Sequence, residues 1–126
     1  MPRASKTDSP VAMDETEIEI RLGQLDDYAV TFETHKTDSD PAPLFVGLPD
    51  DSCQCTHLGY VVKGRLVFRY ADHDETVETG ETYLARPGHR PLLFAGTELV
   101  EFTKQSELDQ TVAVISQNLG AAKVGG

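Results

Sequence analysis

The run Cys53-Gln54-Cys55-Thr56-His57-Leu58-Gly59-Tyr60 holds the only two cysteines of the chain and one of its four histidines. Thiolate and imidazole are good ligands for zinc and for other first-row transition metals. On an extended backbone, positions i, i+2 and i+4 all point to one face of a strand. About thirty residues later Arg86-Pro87-Gly88-His89 offers a second histidine from a turn. Cys53, Cys55, His57 and His89 therefore make a candidate four-donor site for a divalent metal ion, with zinc and iron the best-suited ions.

Strand geometry limits how these donors combine. Cα atoms four residues apart on a flat strand are roughly 13 Å apart, too far for Cys53 and His57 to share an ion with bonds of roughly 2.3 and 2.0 Å. Binding all three needs a bend or bulge. Without one, Cys55 and His57 are the pair best placed to share an ion with His89. Two thiolates and two imidazoles would close a tetrahedral zinc sphere and make the site structural. With one cysteine free, an open position would suit Lewis-acid or oxygen-activating chemistry. A free thiolate there would be oxidisable, a candidate redox sensor. The same Cys-x-Cys and histidine also suit plain packing on an inward strand face, and His89 equally suits a turn residue bonded to backbone.

Other polar residues carry weaker signals, and no spacing assigns a catalytic residue. Glu101, flanked by Val100 and Phe102, is a candidate pocket base or partner of a ligating histidine, although the strand pattern favours an outward-facing side chain. Tyr83 and Tyr60 are candidate pocket or interface groups that packing explains as readily. His35 at a strand end and His73 in an Asp-rich turn read as solvated, and Lys63, Arg65, Arg69 and Arg90 as surface charges.

The elements that must position these residues are mostly short strands. Alternation marks Glu17–Leu22 and Tyr28–Thr34, the latter with Tyr28, Val30 and Phe32 on one face. Pro, Asp and Gly make Lys36–Asp51 a long loop anchored by Leu44, Phe45 and Val46. Cys53–Val62 turns at Lys63-Gly64 and returns as Arg65–Tyr70, a hairpin pattern. Further strands are expected at 75–79, 82–86, 91–95 and 98–103, then a helical turn near 106–110 and a last strand over 111–116. Residues 1–16 read as a flexible lead, 17–117 as a β-barrel domain and 118–126 as a flexible tail. Some eight strands with regular turns argue for an antiparallel sandwich or barrel. An immunoglobulin-like sandwich fits less well, since there is no tryptophan and no widely spaced cysteine pair.

This order of elements resembles the cupin family of small double-stranded β-helix jelly rolls, whose motifs run roughly G(X)5HXH(X)3-4E(X)6G and G(X)5PXG(X)2H(X)3N. Gly64 matches the last glycine of the first motif. Counting back, His57 falls at the family's glutamate, Cys53 at its second histidine and Asp51 at its first, while Cys55 has no counterpart. Gly80-Glu81 and Arg86-Pro87-Gly88 match the second motif in character, with His89 directly after the glycine. The resemblance spans about residues 28–116. It implies an all-β antiparallel jelly roll, a metal inside the barrel, a homodimer, and a metal-dependent enzyme of dioxygenase or isomerase type acting on a small organic molecule. The alternative is a non-enzymatic small-molecule-binding or sensing module with a structural zinc site or no metal.

Bulk properties set the outer limits. A chain of 126 residues fits one domain with its own core. A net charge of -10 repels phosphate backbones and anionic lipid, so neither nucleic acid nor membrane is an expected partner. A small-molecule ligand fits better. With no long apolar segment or secretory leader pattern, the expected location is cytoplasmic. Two cysteines in Cys-x-Cys sit roughly 6.6 Å apart on a strand, near the upper limit for a disulfide, so reduced thiols are expected.

Overall fold

The computed structural model describes residues 2–125. Nine strands follow in order: β1 (Val11–Asp14), β2 (Ile18–Leu25), β3 (Tyr28–His35), β4 (His57–Lys63), β5 (Arg65–Arg69), β6 (Asp74–Glu78), β7 (Thr82–Ala85), β8 (Arg90–Leu93) and β9 (Glu98–Lys104). They form two antiparallel sheets, one of six strands in the order β1-β2-β3-β9-β4-β7 and one of three in the order β6-β5-β8. This is the antiparallel jelly roll that the family resemblance implied.

Period-two alternation decides what lies between the sheets. Along β4, His57, Gly59 and Val61 are buried while Leu58, Tyr60 and Val62 are exposed. Val61, Leu66, Phe68, Val77, Tyr83, Ala85 and Leu99 form the main core, with Tyr70 and Leu93 packed against it. Each large side chain buried this way stabilises the fold by roughly 1.5–3 kcal/mol.

Four details differ from the sequence expectations. β4 and β5 are not a hairpin: β4 pairs with β7 and β9, β5 with β6 and β8, so the chain crosses between sheets at Gly64. Gly64 has φ +81°, and a Cβ there would press on the backbone of Thr97 at 2.8 Å, so the crossing requires glycine. The strand expected from Cys53 begins only at His57, and Cys53–Thr56 is an irregular stretch. The lead segment is not featureless, because β1 pairs with β2 and Ser9 is buried.

The largest difference lies after β9. A helix, α1 (Gln105–Gly125), replaces the helical turn and the strand expected over 111–116. It runs through the segment read as a flexible tail as far as Gly125, and Gly126 lies outside the described residues. Thr111, Val112, Val114 and Ile115 are β-branched and bias a local reading towards strand. Tertiary contacts decide otherwise: Thr111 and Ile115 pack against the Cys55 segment, and Asn118 Nδ2 donates to the Leu44 and Val46 carbonyls at 2.6 and 2.9 Å. Those residues recur at helical spacing on one side of α1.

Candidate metal centre

The site lies where the irregular Cys53–Thr56 stretch meets the Pro87-Gly88-His89 turn. Cys53 N–H donates to the His89 carbonyl at 2.9 Å and Gly88 N–H donates to the Cys53 carbonyl at 2.8 Å, so backbone bonds clamp the two stretches together. Gly88 sits at φ +95°, a left-handed conformation natural to glycine.

Because Cys53–Thr56 curves instead of running flat, the long separation expected between Cys53 and His57 disappears. One ligand atom from each of Cys53, Cys55 and His57 lies within 4.8 Å of the others. Cys53 Sγ is 3.7 Å from His57 Nε2, so Cys53 is the thiol at the imidazole, where a flat strand would have favoured Cys55. His89 stands beside this group, its ring centroid 5.0 Å from that of His57. The four residues are 4%, 1%, 8% and 1% exposed in chain order, which seals their donor atoms from bulk water.

Both imidazoles are held by their Nδ1 atoms. His89 Nδ1–H donates to the Arg86 carbonyl at 2.6 Å; a carbonyl only accepts, so Nε2 carries the lone pair. His57 Nδ1 pairs with Thr103 Oγ1 at 2.7 Å and lies 3.7 Å from Glu101 Oε2, leaving Nε2 towards Cys53. His57 is thus anchored through one nitrogen with the other towards the Cys53 thiol, an arrangement that suits a metal ligand, whereas His89 is not among the three residues whose donor atoms converge. Burial, with the nearby His57 adding to it, pushes the His89 pKa down to about 4, so at neutral pH the ring is in the uncharged form a metal takes. Its neighbour Cys55 and its own burial hold the Cys53 thiol well above the usual range. Donation from Cys53 and from the Thr111 hydroxyl lowers Cys55, making it the readier thiolate.

The barrel interior next to the centre is polar. Thr31, Glu101, Gly59 and Tyr83 stand in register across β3, β9, β4 and β7. Glu101 therefore faces inwards, correcting the outward orientation that its apolar neighbours suggested. Tyr83 OH donates to Glu101 Oε1 at 2.6 Å. Burial pushes the Glu101 pKa up to about 7, and the charge of Glu33 reinforces that shift. Burial alone would raise Glu33 too, but the hydrogen bond and charge of His35 outweigh it and hold that carboxyl low.

Glu33 and His35 were missed as interior groups. His35 is 1% exposed rather than solvated; its Nε2 meets Glu33 Oε1 at 3.2 Å and its Nδ1 has no partner. The usable signal was parity: if Tyr28, Val30 and Phe32 share a face of β3, then Thr31, Glu33 and His35 share the other, and the second face is the inner one. Tyr60 is 41% exposed on the outer face. His73 is exposed, as expected, and bonded to Asp72 at 2.7 Å. Asp51 is exposed, is not among the converging donors, and accepts from Gly47 N–H at 3.0 Å.

No sequence family matches the chain, and no curated protein matches it in sequence. Its architecture does match solved structures. An RmlC-like cupin from Shewanella frigidimarina is 8% identical with a TM-score of 0.53, covering 80% of this chain and 88% of that one. KdgF from a Halomonas species is 10% identical with a TM-score of 0.54, covering 80% and 90%. The iron(II) protein HppE is 11% identical with a TM-score of 0.57, covering 82% of this chain and 60% of its own. At these identities the likeness establishes the fold: this is a cupin-like jelly roll.

Proposed function

We propose that this protein binds a divalent metal, zinc or iron, with ligands drawn from Cys53, Cys55, His57 and His89 that leave one coordination position open, and uses that centre to act on a small organic molecule. The observation that carries the proposal is the convergence of two buried thiols and an imidazole within 4.8 Å. The iron of the similarly folded HppE adds support for a metal in this architecture. When bound, such an ion supplies Lewis-acid or redox chemistry. The chain's own contribution is to hold His57 and His89 through their Nδ1 atoms, to keep water from the donors, and to offer Glu101, Glu33 and Tyr83 as proton-handling groups close by. A purely structural site gives no reason for two buried carboxylates and a phenol to adjoin it.

A second reading, a closed zinc site in a non-enzymatic module, is favoured by the presence of four soft donors, enough to complete a tetrahedral sphere. X-ray absorption on protein purified without chelators separates the two. It reports the element and the sulfur-to-nitrogen count: two sulfurs and two nitrogens with no oxygen supports the closed site, and an added oxygen supports the open one. Less than about 0.2 metal per chain would sink both.

We also propose a homodimer through the outer face of the six-stranded sheet. Leu58, Tyr60, Val62 and Leu84 are 54%, 41%, 53% and 41% exposed there, a cluster that a monomer leaves in water.

A further inference from the structure

We infer that the C-terminal helix is a working part of the metal centre: Thr111 on α1 is a positioning residue for Cys55, so metal binding and docking of α1 on the barrel reinforce each other. This inference rests on the metal-binding reading above.

Cys55 is the donor shared between the two. Its Sγ belongs to the compact group with Cys53 and His57. The same atom lies 3.2 Å from Thr111 Oγ1 and 3.4 Å from the carbonyl of Glu107, both on α1. Thr111 is 5% exposed, so its hydroxyl has no bulk water to turn to. Around this contact the helix is pinned at several points. Thr56 N–H donates to Glu107 Oε1 at 2.9 Å, Ile115 packs on the cluster of Phe45, Cys53 and Cys55, and Asn118 bonds the loop carbonyls. Glu107, Thr111, Ile115 and Asn118 thus form one stripe of α1 facing the cysteine segment and the long loop.

The two contacts of Cys55 respond differently to a metal. On coordination the thiol proton leaves to solvent and the sulfur keeps only lone pairs. The carbonyl of Glu107 can only accept and loses its donor, although a thiol is a weak donor and little is lost. The hydroxyl of Thr111 can rotate to donate, and a hydrogen bond to an anionic acceptor is roughly twice as strong as a neutral one. The shorter contact gains and the longer one loses, so metal loading tightens α1. By linkage, a docked α1 must then tighten the metal.

Cobalt(II) added to chelator-treated protein reads both directions. Wild type is expected to show a thiolate-to-cobalt charge-transfer band. Thr111→Val keeps the side-chain shape, and should weaken cobalt binding about 10–100-fold, the usual size for loss of an outer partner, and move that band. Thr111→Ser should restore both. In wild type, cobalt should slow hydrogen exchange over residues 105–119, and Cys55→Ser should abolish that protection. Equal affinity and an identical band in Thr111→Val, or exchange of α1 indifferent to cobalt, would overturn the inference while leaving the metal centre intact. Absence of any thiolate–cobalt band in wild type would overturn the metal centre and this inference with it.

Discussion

Tyr83 reaches Glu101 by passing over Gly59: the phenol on β7 donates to the carboxylate on β9 at 2.6 Å, across the central strand β4. The contact exists because position 59 has no side chain. A Cβ placed there would overlap the Tyr83 ring.

Gly59→Ala should therefore push Tyr83 aside and destabilise the fold by about 1–3 kcal/mol, the usual cost of overpacking. Tyr83→Phe should cost a similar amount by leaving Glu101 short of a donor. Urea denaturation measures both, and the two losses should fall short of additive in the double variant because they share one contact. Full additivity would show that Gly59 and the phenol bond act separately.

Acid should weaken the metal-free fold through His89. Its pKa is about 4 in the fold against 6.5 in the unfolded chain. As pH falls below the unfolded value, the unfolded state takes up the proton first. Stability present above that point is then lost progressively down to the folded pKa, by about 3 kcal/mol in all. His73 has the opposite sign: its hydrogen bonds to Asp72 and Glu75 raise it, so its small surface contribution is present below 6.5 and fades as pH rises. Urea melts of chelator-treated wild type and His89→Gln between pH 7.5 and 4.5 should converge on acidification. Parallel curves would mean that His89 is solvated.

Removal of metal should lower the melting temperature. With metal held at a hundredfold excess over Kd, the expected stabilisation is about 3 kcal/mol. Thr103→Val, which strips His57 Nδ1 of its 2.7 Å partner, should weaken metal binding about 10–100-fold. Metal analysis after dialysis at graded chelator strengths checks this, and unchanged retention would reassign Thr103 to packing alone.

Placing Lys at Leu58 and Tyr60 should leave the fold intact and abolish self-association, because both side chains are exposed on the outer sheet face. Sedimentation velocity over a wide concentration range decides the matter: a wild type that stays monomeric throughout removes the proposed dimer.

Much of the strand framework was legible because burial on one face imprints a period of two. β3, β7 and β9 fall within a residue or two of their sequence expectations, since their turns carry Gly, Asp or Pro. The path between Lys63 and Arg65 was not legible. A hairpin and a crossing between sheets place the same glycine in the same turn, and only the partners of β4 and β5 separate them. The inward carboxylates were misread for a related reason. Hydrophobic alternation assigns the apolar face to the core, but β3 turns Thr31, Glu33 and His35 inwards, where each bonds to another polar group. Helix α1 escaped because its β-branched residues carry strand propensity, and the contacts that make it a helix come from the distant segments at Leu44–Val46 and Cys55.

By itself the sequence determined an antiparallel β domain and the donors on which a metal would depend, since residue type and period are local properties. Convergence of those donors was decided in three dimensions. Cys53 and His89 are joined by backbone bonds between stretches some thirty-five residues apart, and Cys55 is met by a helix more than fifty residues further along. No spacing rule encodes such meetings, because they arise only when two sheets close and the chain beyond the last strand packs back on the cysteine segment.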